Sequence, residues 1–491
     1  MWIYITINRV INNIILIQGS GKMINIKIDS RKVVPGDTFV AIKGTNTDGH
    51  KFIDDVIEKG ATCVVIDHDM PVPEGVDKII VDDTNEWLTN TLVKNYSNAI
   101  NSMNLIGITG TNGKTTTAYL TYQLLNELGE KTAYIGTIGC YIPGEEVLEL
   151  PNTTPNILDL YELLLNALSK GVETVAMETS SHGLSLGRTK GLKFKTGLFT
   201  NLTQDHLDYH KTMDNYLNSK MLLLNQLEGT MLLNSDDEAS SKWEERFSKT
   251  KTFGKNGDIK LIDYRFENTN TIINIEYLGK EYTITTNLLG EFNVYNYLGV
   301  LGIALERGYS IEDIIDKTKD VYPPKGRCEL IPYNGGIIVV DYAHTPDAVE
   351  KIINTFKGYD VVTVFGCGGD RDKTKRPIMG SIASNLSNVA IVTSDNPRTE
   401  EPMRIIDDIV VGIKKKNYII ASDRKKAIEL GVNAAKPGTV VLILGKGHED
   451  YQIIGREKHH FSDQEVVENY IKEKEALCRE EAKKLERKKR G

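Results

Sequence analysis

Apolar residues along the chain gather in short, unbroken runs. Leu105 to Thr109 is one, and Val172 to Met177, Val361 to Phe365, Val389 to Thr393 and Val440 to Leu444 are others. A continuous apolar run of this length, followed by a loop and helical periodicity, predicts a strand buried on both faces of a parallel sheet. Shorter runs at Cys63 to Ile66 and Lys78 to Val81 predict further strands, with a helix from about Trp87 to Ala99. Thr271 to Thr286 alternates with period two and reads as a strand pair. Pro323, Pro324 and Gly326 mark a break. Beyond it, strand runs separated by helical patterns predict a second doubly wound unit. The chain therefore divides at about residues 101 and 325, and a charge run from about 472 to 491 reads as a solvated helical tail. Met1 to Ile17 reads as irregular apolar strand.

Length agrees with this division. A chain of 491 residues exceeds the ~250–300 at which single cores stop growing, so several domains are expected. A net charge of −8 argues against bulk nucleic-acid binding, but leaves room for a locally basic pocket. The five cysteines (Cys63, Cys140, Cys328, Cys367 and Cys478) are scattered and form no C-x-x-C pair, so a reducing compartment is expected, and neither a disulfide framework nor a zinc site is. No apolar run approaches the ~20 residues of a membrane span and no signal peptide is read, which predicts a cytoplasmic protein without membrane insertion.

The chemistry begins after the first buried strand. Gly110, Thr111, Asn112, Gly113, Lys114, Thr115 and Thr116 form a glycine loop that opens a helix. Backbone N–H groups of such a loop close around phosphates, the lysine reaches the β/γ-phosphates, and the Thr115 hydroxyl suits Mg²⁺. It is a variant loop, because Ile108 stands where the strict pattern wants glycine. Glu178 ends a neighbouring strand, where a metal ligand belongs in such sheets. Asp205, His206, Asp208 and His210 could serve a metal or cap the next helix. Lys220, on its helical context alone, reads as an exposed helix lysine.

Taken in order, Thr109 to Thr116, Glu178 to Gly183 and Asp205 to His210 resemble the Mur ligase family, with similarity from about Asp29 to Asp463. The resemblance implies three α/β domains: a small UDP-sugar-binding domain (1–101), a P-loop parallel-sheet ATPase domain (102–325) and a Rossmann-like amino-acid-binding domain (326–471). It implies a ligase that uses ATP and Mg²⁺ to phosphorylate a D-glutamyl γ-carboxylate and then joins an amine to it. The implied substrates are UDP-MurNAc-L-Ala-D-Glu and meso-diaminopimelate, in peptidoglycan precursor synthesis, with a monomer expected.

Residue by residue, Lys114, Glu178, His206 and Lys220 would be catalytic. Thr115 would hold a first Mg²⁺ and Glu178 and His206 a second, while Lys220, which in the family carries a CO2-derived carbamate, would meet Mg²⁺ as an anion. Asn293, Arg327 and Asp341 would join the loop in binding ATP. Phe292 replaces a histidine often found before that asparagine. Ser30, Thr45, Asn46 and Thr47 match uridine-nucleotide segments. Thr153, Thr154, Ser180 and Arg188 match contacts to the muramoyl dipeptide, whereas Leu186 replaces an expected glutamine.

Three loops after buried strands supply Arg371; Asp395, Asn396, Pro397 and Arg398; and Gly445 and Glu449. Convergent strand ends can bring them to one pocket. A guanidinium at Arg398 would reward the distal carboxylate that distinguishes diaminopimelate from lysine. The alternatives are a lysine-adding relative, a folate-type polyglutamate ligase, and a P-loop switch or motor that makes no amide bond.

Overall fold

The computed structural model describes residues 25–44, 47–267 and 270–490. Four parallel strands (Ile26–Lys27, Thr38–Val40, Cys63–Ile66 and Asp77–Ile80) pair in sequence order to form the first sheet. Helix Thr84–Ile100 follows, capped by Asp83, whose carboxylate accepts from the N–H groups of Asn85 and Glu86. The reading of Met1 to Ile17 lies outside the described residues.

The second sheet has ten strands. At its centre Asn104–Thr109 lies between Thr174–Glu178 and Phe194–Phe199, all parallel. Ile106 and Ile108 are fully buried on one face and Leu105 on the other, in separate clusters, as the uninterrupted apolar run predicts. Asn270–Tyr277 and Lys280–Thr286 pair antiparallel, as the period-two pattern requires. Helices Lys114–Glu127 and Glu291–Glu306 pack together over one face of this sheet.

The third sheet has six strands, ordered Glu329–Tyr333, Gly336–Asp341, Thr439–Leu444, Asp360–Phe365, Val389–Val392 and Tyr418–Ile420. Only the first pairing is antiparallel. The carboxyl ends of Asp360–Phe365, Val389–Val392 and Thr439–Leu444 therefore face one side, where ligand sites form in such sheets. The charged tail belongs to a longer helix, Asp463–Arg490. Its first turns are buried: Asp463 takes two hydrogen bonds from the buried Arg424 guanidinium at 2.7 and 2.6 Å, and Val467 joins the core. Among the described residues no helix is long and apolar enough to cross a membrane.

Cys63, Cys140, Cys328 and Cys367 are all buried, free thiols. Burial pushes Cys63, Cys140 and Cys367 up to about 12, and Cys328 moves the same way. At neutral pH these thiols stay protonated, and the thiolate is the reactive form. Ellman's reagent is therefore expected to titrate at most one thiol in the native protein and all five after denaturation. Rapid native labelling of two or more would contradict this packing.

Candidate active site

The phosphate loop owes its shape to two glycines. Gly113 sits at φ 88°, where a Cβ would lie 2.3 Å from Asn296 Oδ1. Gly110 sits at φ 144°, and a Cβ there would drive into the Thr200 hydroxyl. Both positions thus need glycine for conformation and for space. Lys114 folds back on the loop, donating to the carbonyls of Gly110 (3.0 Å) and Thr111 (2.7 Å). Burial lowers its pKa, against the pull of Glu178 and Asp205.

Glu178 is fully buried, and every partner of its carboxylate is a neutral donor. Oε1 accepts from the Tyr134 hydroxyl (2.6 Å) and the Thr137 N–H (2.8 Å). Oε2 accepts from the hydroxyls of Thr115 (3.0 Å) and Thr137 (3.2 Å). No lysine, arginine or histidine pairs with it within 4.0 Å among the described residues. A buried carboxylate costs several kcal/mol to desolvate unless a cation meets it, so this donor set fits a divalent ion beside the Thr115 hydroxyl.

Lys220 is the clearest departure from reading the sequence without its relatives. It is 1% exposed rather than a surface helix lysine, because helix Met213–Met221 turns it into the loop. Its Nζ donates to Gly110 O at 2.7 Å and lies 4.1 Å from the centroid of the Tyr216 ring. Burial, with Lys114 nearby, drives its pKa well below that of an ordinary lysine, which favours the neutral amine.

His206 begins the short helix Leu207–His210 with φ 53°, and its ring meets that of His182 edge-on at 4.9 Å. Its side chain does not cap the helix. Burial pushes it down to about 4 despite Asp205, so it is a neutral imidazole at pH 7.

One cavity of about 690 Å³ gathers most of these groups. Thr111 to Thr116, Thr153, Glu178, His206 and Asn293 line it from the central unit, and Arg327 and Asp341 from the C-terminal one. Arg327 donates to Thr115 Oγ1 (3.2 Å) across the junction and lies 4.3 Å from the centroid of the Tyr342 ring. Asp341 spends both oxygens on the backbone N–H groups of Cys328 and Ala343, so it braces the turn that carries Arg327. Asn293 donates to Leu289 O (2.8 Å) and accepts from Asn296 (3.0 Å).

Thr154, Ser180 and Arg188 lie behind this wall. Thr154 bonds Ser180 (3.0 Å) and Glu178 O (2.9 Å), Arg188 donates to Thr154 O (2.7 Å), and Thr153 meets Thr137 (3.0 Å). Ser30 is buried in the turn Ser30–Lys32, and Thr47 O accepts from the Gly44 N–H. Thr45 and Asn46 lie outside the described residues.

The three C-terminal loops do converge. Gly369 N–H donates to Asn396 O (2.9 Å), Arg398 Nη1 to Gly369 O (2.9 Å), and Asn396 Nδ2 to Glu449 Oε2 (2.9 Å). Gly445 packs against Asp395, and Arg371 approaches Arg398 over Gly368. Pro397 and Arg398 face a separate, more open cleft rather than the cavity at the phosphate loop. Tyr342 links the two regions, stacking near Arg327 on one side and near His448 (5.2 Å) on the other.

Two neighbours of Glu178 escaped the sequence reading. Tyr134 sits in an apolar strand and passes for core, and Thr137 belongs to no recognisable motif. A hydrogen bond to a charged group is worth about 1.5–3 kcal/mol. Tyr134→Phe is therefore expected to lower turnover about tenfold or more and raise the Mg²⁺ requirement, with the nucleotide KM within about twofold. An unchanged Mg²⁺ profile would remove Tyr134 from this role.

A phosphate loop, an unpaired buried carboxylate and an arginine from the next domain, all on one cavity, define a P-loop enzyme that handles nucleotide at a domain junction. Known proteins narrow that class. Residues 22–100 match the profile described as Mur ligase family, catalytic domain; residues 108–304 match the Mur ligase middle domain; and residues 326–447 match the Mur ligase, glutamate ligase domain. A UDP-N-acetylmuramoyl-L-alanyl-D-glutamate--2,6-diaminopimelate ligase of Clostridium perfringens is 43% identical over 470 residues, covering 92% of this chain and 96% of that one. The protein of the same name from Aquifex aeolicus is 42% identical over 452 residues, covering 91% and 93%. A solved structure of a ligase of that name superposes with a TM-score of 0.64 at 31% identity, covering 92% and 95%. The chain belongs to the Mur ligase family and is an ATP-dependent amide-bond ligase.

Proposed function

We propose that this ligase joins meso-diaminopimelate to the D-glutamyl γ-carboxylate of UDP-MurNAc-L-Ala-D-Glu, in the cytoplasmic assembly of peptidoglycan precursors. In this reading, residues 1–101 hold the UDP-sugar, 102–325 the nucleotide and 326–471 the amino acid. One coincidence carries it: near-full-length likeness to diaminopimelate-adding relatives, in a chain whose three amino-acid loops pack together around Arg398.

The reaction follows from the residues. ATP's terminal phosphoryl group passes to the glutamyl carboxylate and ADP leaves. The diaminopimelate amine attacks the acyl carbon, phosphate departs with its bonding electrons, and the amine loses a proton. Charge develops on phosphate oxygens throughout, so cations and positioning do most of the work. Lys114 and the loop N–H groups cradle the phosphates, and Arg327 brings positive charge from the C-terminal domain. Mg²⁺, when bound, neutralises phosphate charge; Thr115 would hold a first ion, Glu178 and His206 a second, and a carbamate on Lys220 would supply a further anionic oxygen. Closure around the junction keeps water from the acyl phosphate.

Lys220 suits carbamate formation because burial and Lys114 shift its amine toward the neutral, nucleophilic form. The amine nitrogen bonds the carbon of CO2 and releases a proton, leaving an anion where a cation stood. Protein equilibrated with ¹³C-bicarbonate is expected to show one carbamate carbon signal by NMR, absent in Lys220→Arg. A signal that persists in that variant would refute the assignment.

The activity is tested by supplying ATP and UDP-MurNAc-L-Ala-D-Glu with either meso-diaminopimelate or L-lysine, and weighing the product by mass spectrometry. Diaminopimelate should be incorporated in strong preference. Incorporation of lysine alone would favour a lysine-adding ligase, and phosphate release without new nucleotide-peptide would reject ligation.

A further inference from the structure

The amino-terminal sheet carries a group of side chains that the ligase chemistry does not use. His50 stands in the turn Gly49–Phe52 and is 5% exposed. Asp67 and His68 follow strand Cys63–Ile66. His50 Nε2 lies 3.1 Å from Asp67 Oδ1, and His68 Nδ1 contacts the same oxygen. The two imidazole rings are 4.7 Å apart. Among the described residues, this is the only place where three histidine, cysteine or carboxylate ligand atoms come within 4.8 Å of one another.

We propose that His50 Nε2, Asp67 Oδ1 and His68 Nδ1 form a binding site for a zinc-class divalent ion. Three features favour it. The donor set is two imidazoles and one carboxylate, which suits Zn²⁺ or Co²⁺ and not the oxygen-seeking Mg²⁺ or Ca²⁺. Asp48 Oδ1 lies 2.7 Å from His50 Nδ1, so that nitrogen carries the proton and Nε2 presents its lone pair to the ion. A carboxylate behind a histidine is the usual support of a metal-bound imidazole. Finally, Asp67 divides its labour: Lys43 Nζ lies 3.5 Å from Oδ2, leaving Oδ1 to the two histidines.

Binding replaces three contacts: the Asp67 N–H to His50 Nε2 at 3.2 Å, His50 Nε2 to Asp67 Oδ1 at 3.1 Å, and the His68 Nδ1 to Asp67 Oδ1 hydrogen bond, whose proton leaves as the ion takes its place. The ion would pin the turn at Gly49–Phe52 to the end of the adjacent strand. It would not touch the nucleotide cavity, none of whose lining residues comes from this sheet.

The test titrates EDTA-treated full-length protein with Co²⁺ and with Zn²⁺, reading the Co²⁺ d–d spectrum and the number of ions bound. His182, His206 and His210 cluster elsewhere, so the deciding quantity is the difference between wild type and variants. Wild type should bind one more ion per chain than His68→Ala, which changes only a half-exposed ring, and should gain Zn²⁺-dependent thermal stability that His68→Ala lacks. Asp48→Asn should keep the site but weaken it by about 10- to 100-fold. Equal stoichiometry and affinity in wild type and His68→Ala would overturn the proposal, as would Co²⁺ spectra identical in all three proteins.

Discussion

Glu178→Gln is expected to lower ligation turnover on the order of 10³-fold while leaving the protein folded. Both halves of that expectation come from the hydrogen bonds around the carboxylate. An amide oxygen can take the place of Oε1 and keep the donors Tyr134 OH and Thr137 N–H. The amide nitrogen then occupies the place of Oε2, where the Thr115 and Thr137 hydroxyls can rotate to accept from it. Packing survives, and the loss is confined to one negative charge at the point where the proposed reading holds Mg²⁺. A steady-state assay over a Mg²⁺ series, with a thermal melt of the same sample, separates the two effects. A folded variant that keeps more than a tenth of wild-type turnover would show that the carboxylate charge is dispensable.

The contrast between Glu178 and Lys220 indicates what the linear sequence can carry. Strand, loop and helix around Gly110 to Thr116 were legible because burial on both faces imposes an unbroken apolar run, and the phosphate loop imposes glycines. Glu178 was legible because it terminates such a run. Lys220 was not legible from its own surroundings. Its burial comes from a helix turning over a loop 110 residues earlier in the chain, and no local pattern encodes that contact. Only likeness to relatives singled it out. Tyr134 had neither kind of signal, since a tyrosine within an apolar strand looks the same whether its hydroxyl meets solvent or a buried carboxylate. The helix at Asp463 shows a third case. The charge run marks its later turns, while its buried start depends on Arg424, 39 residues away.

Arg398→Ala is expected to reduce kcat/KM for meso-diaminopimelate by about 10²- to 10³-fold, with the KM for ATP within about twofold. Arg398 Nη1 is satisfied by Gly369 O, and its backbone N–H donates to Ile453 O (3.0 Å) in strand Tyr451–Ile454, which fixes the side chain's origin at φ 52°. No carboxylate pairs with the guanidinium within 4.0 Å among the described residues. Burial and the charge of the nearby Arg371 both disfavour its charged form and lower its pKa. That arrangement is unfavourable alone and becomes favourable when an anion bridges it, which is what the distal carboxylate of diaminopimelate supplies and lysine lacks. Removing one partner of a desolvated, hydrogen-bonded charge pair costs about 2–5 kcal/mol, which sets the size of the loss. Arg398→Lys should recover little, because an ammonium cannot reproduce the planar two-point contact. Competition between diaminopimelate and lysine checks the assignment directly. In Arg398→Ala the preference should shrink mainly through loss of diaminopimelate use, and an equal fall in apparent ATP affinity would instead place Arg398 in the service of the domain junction.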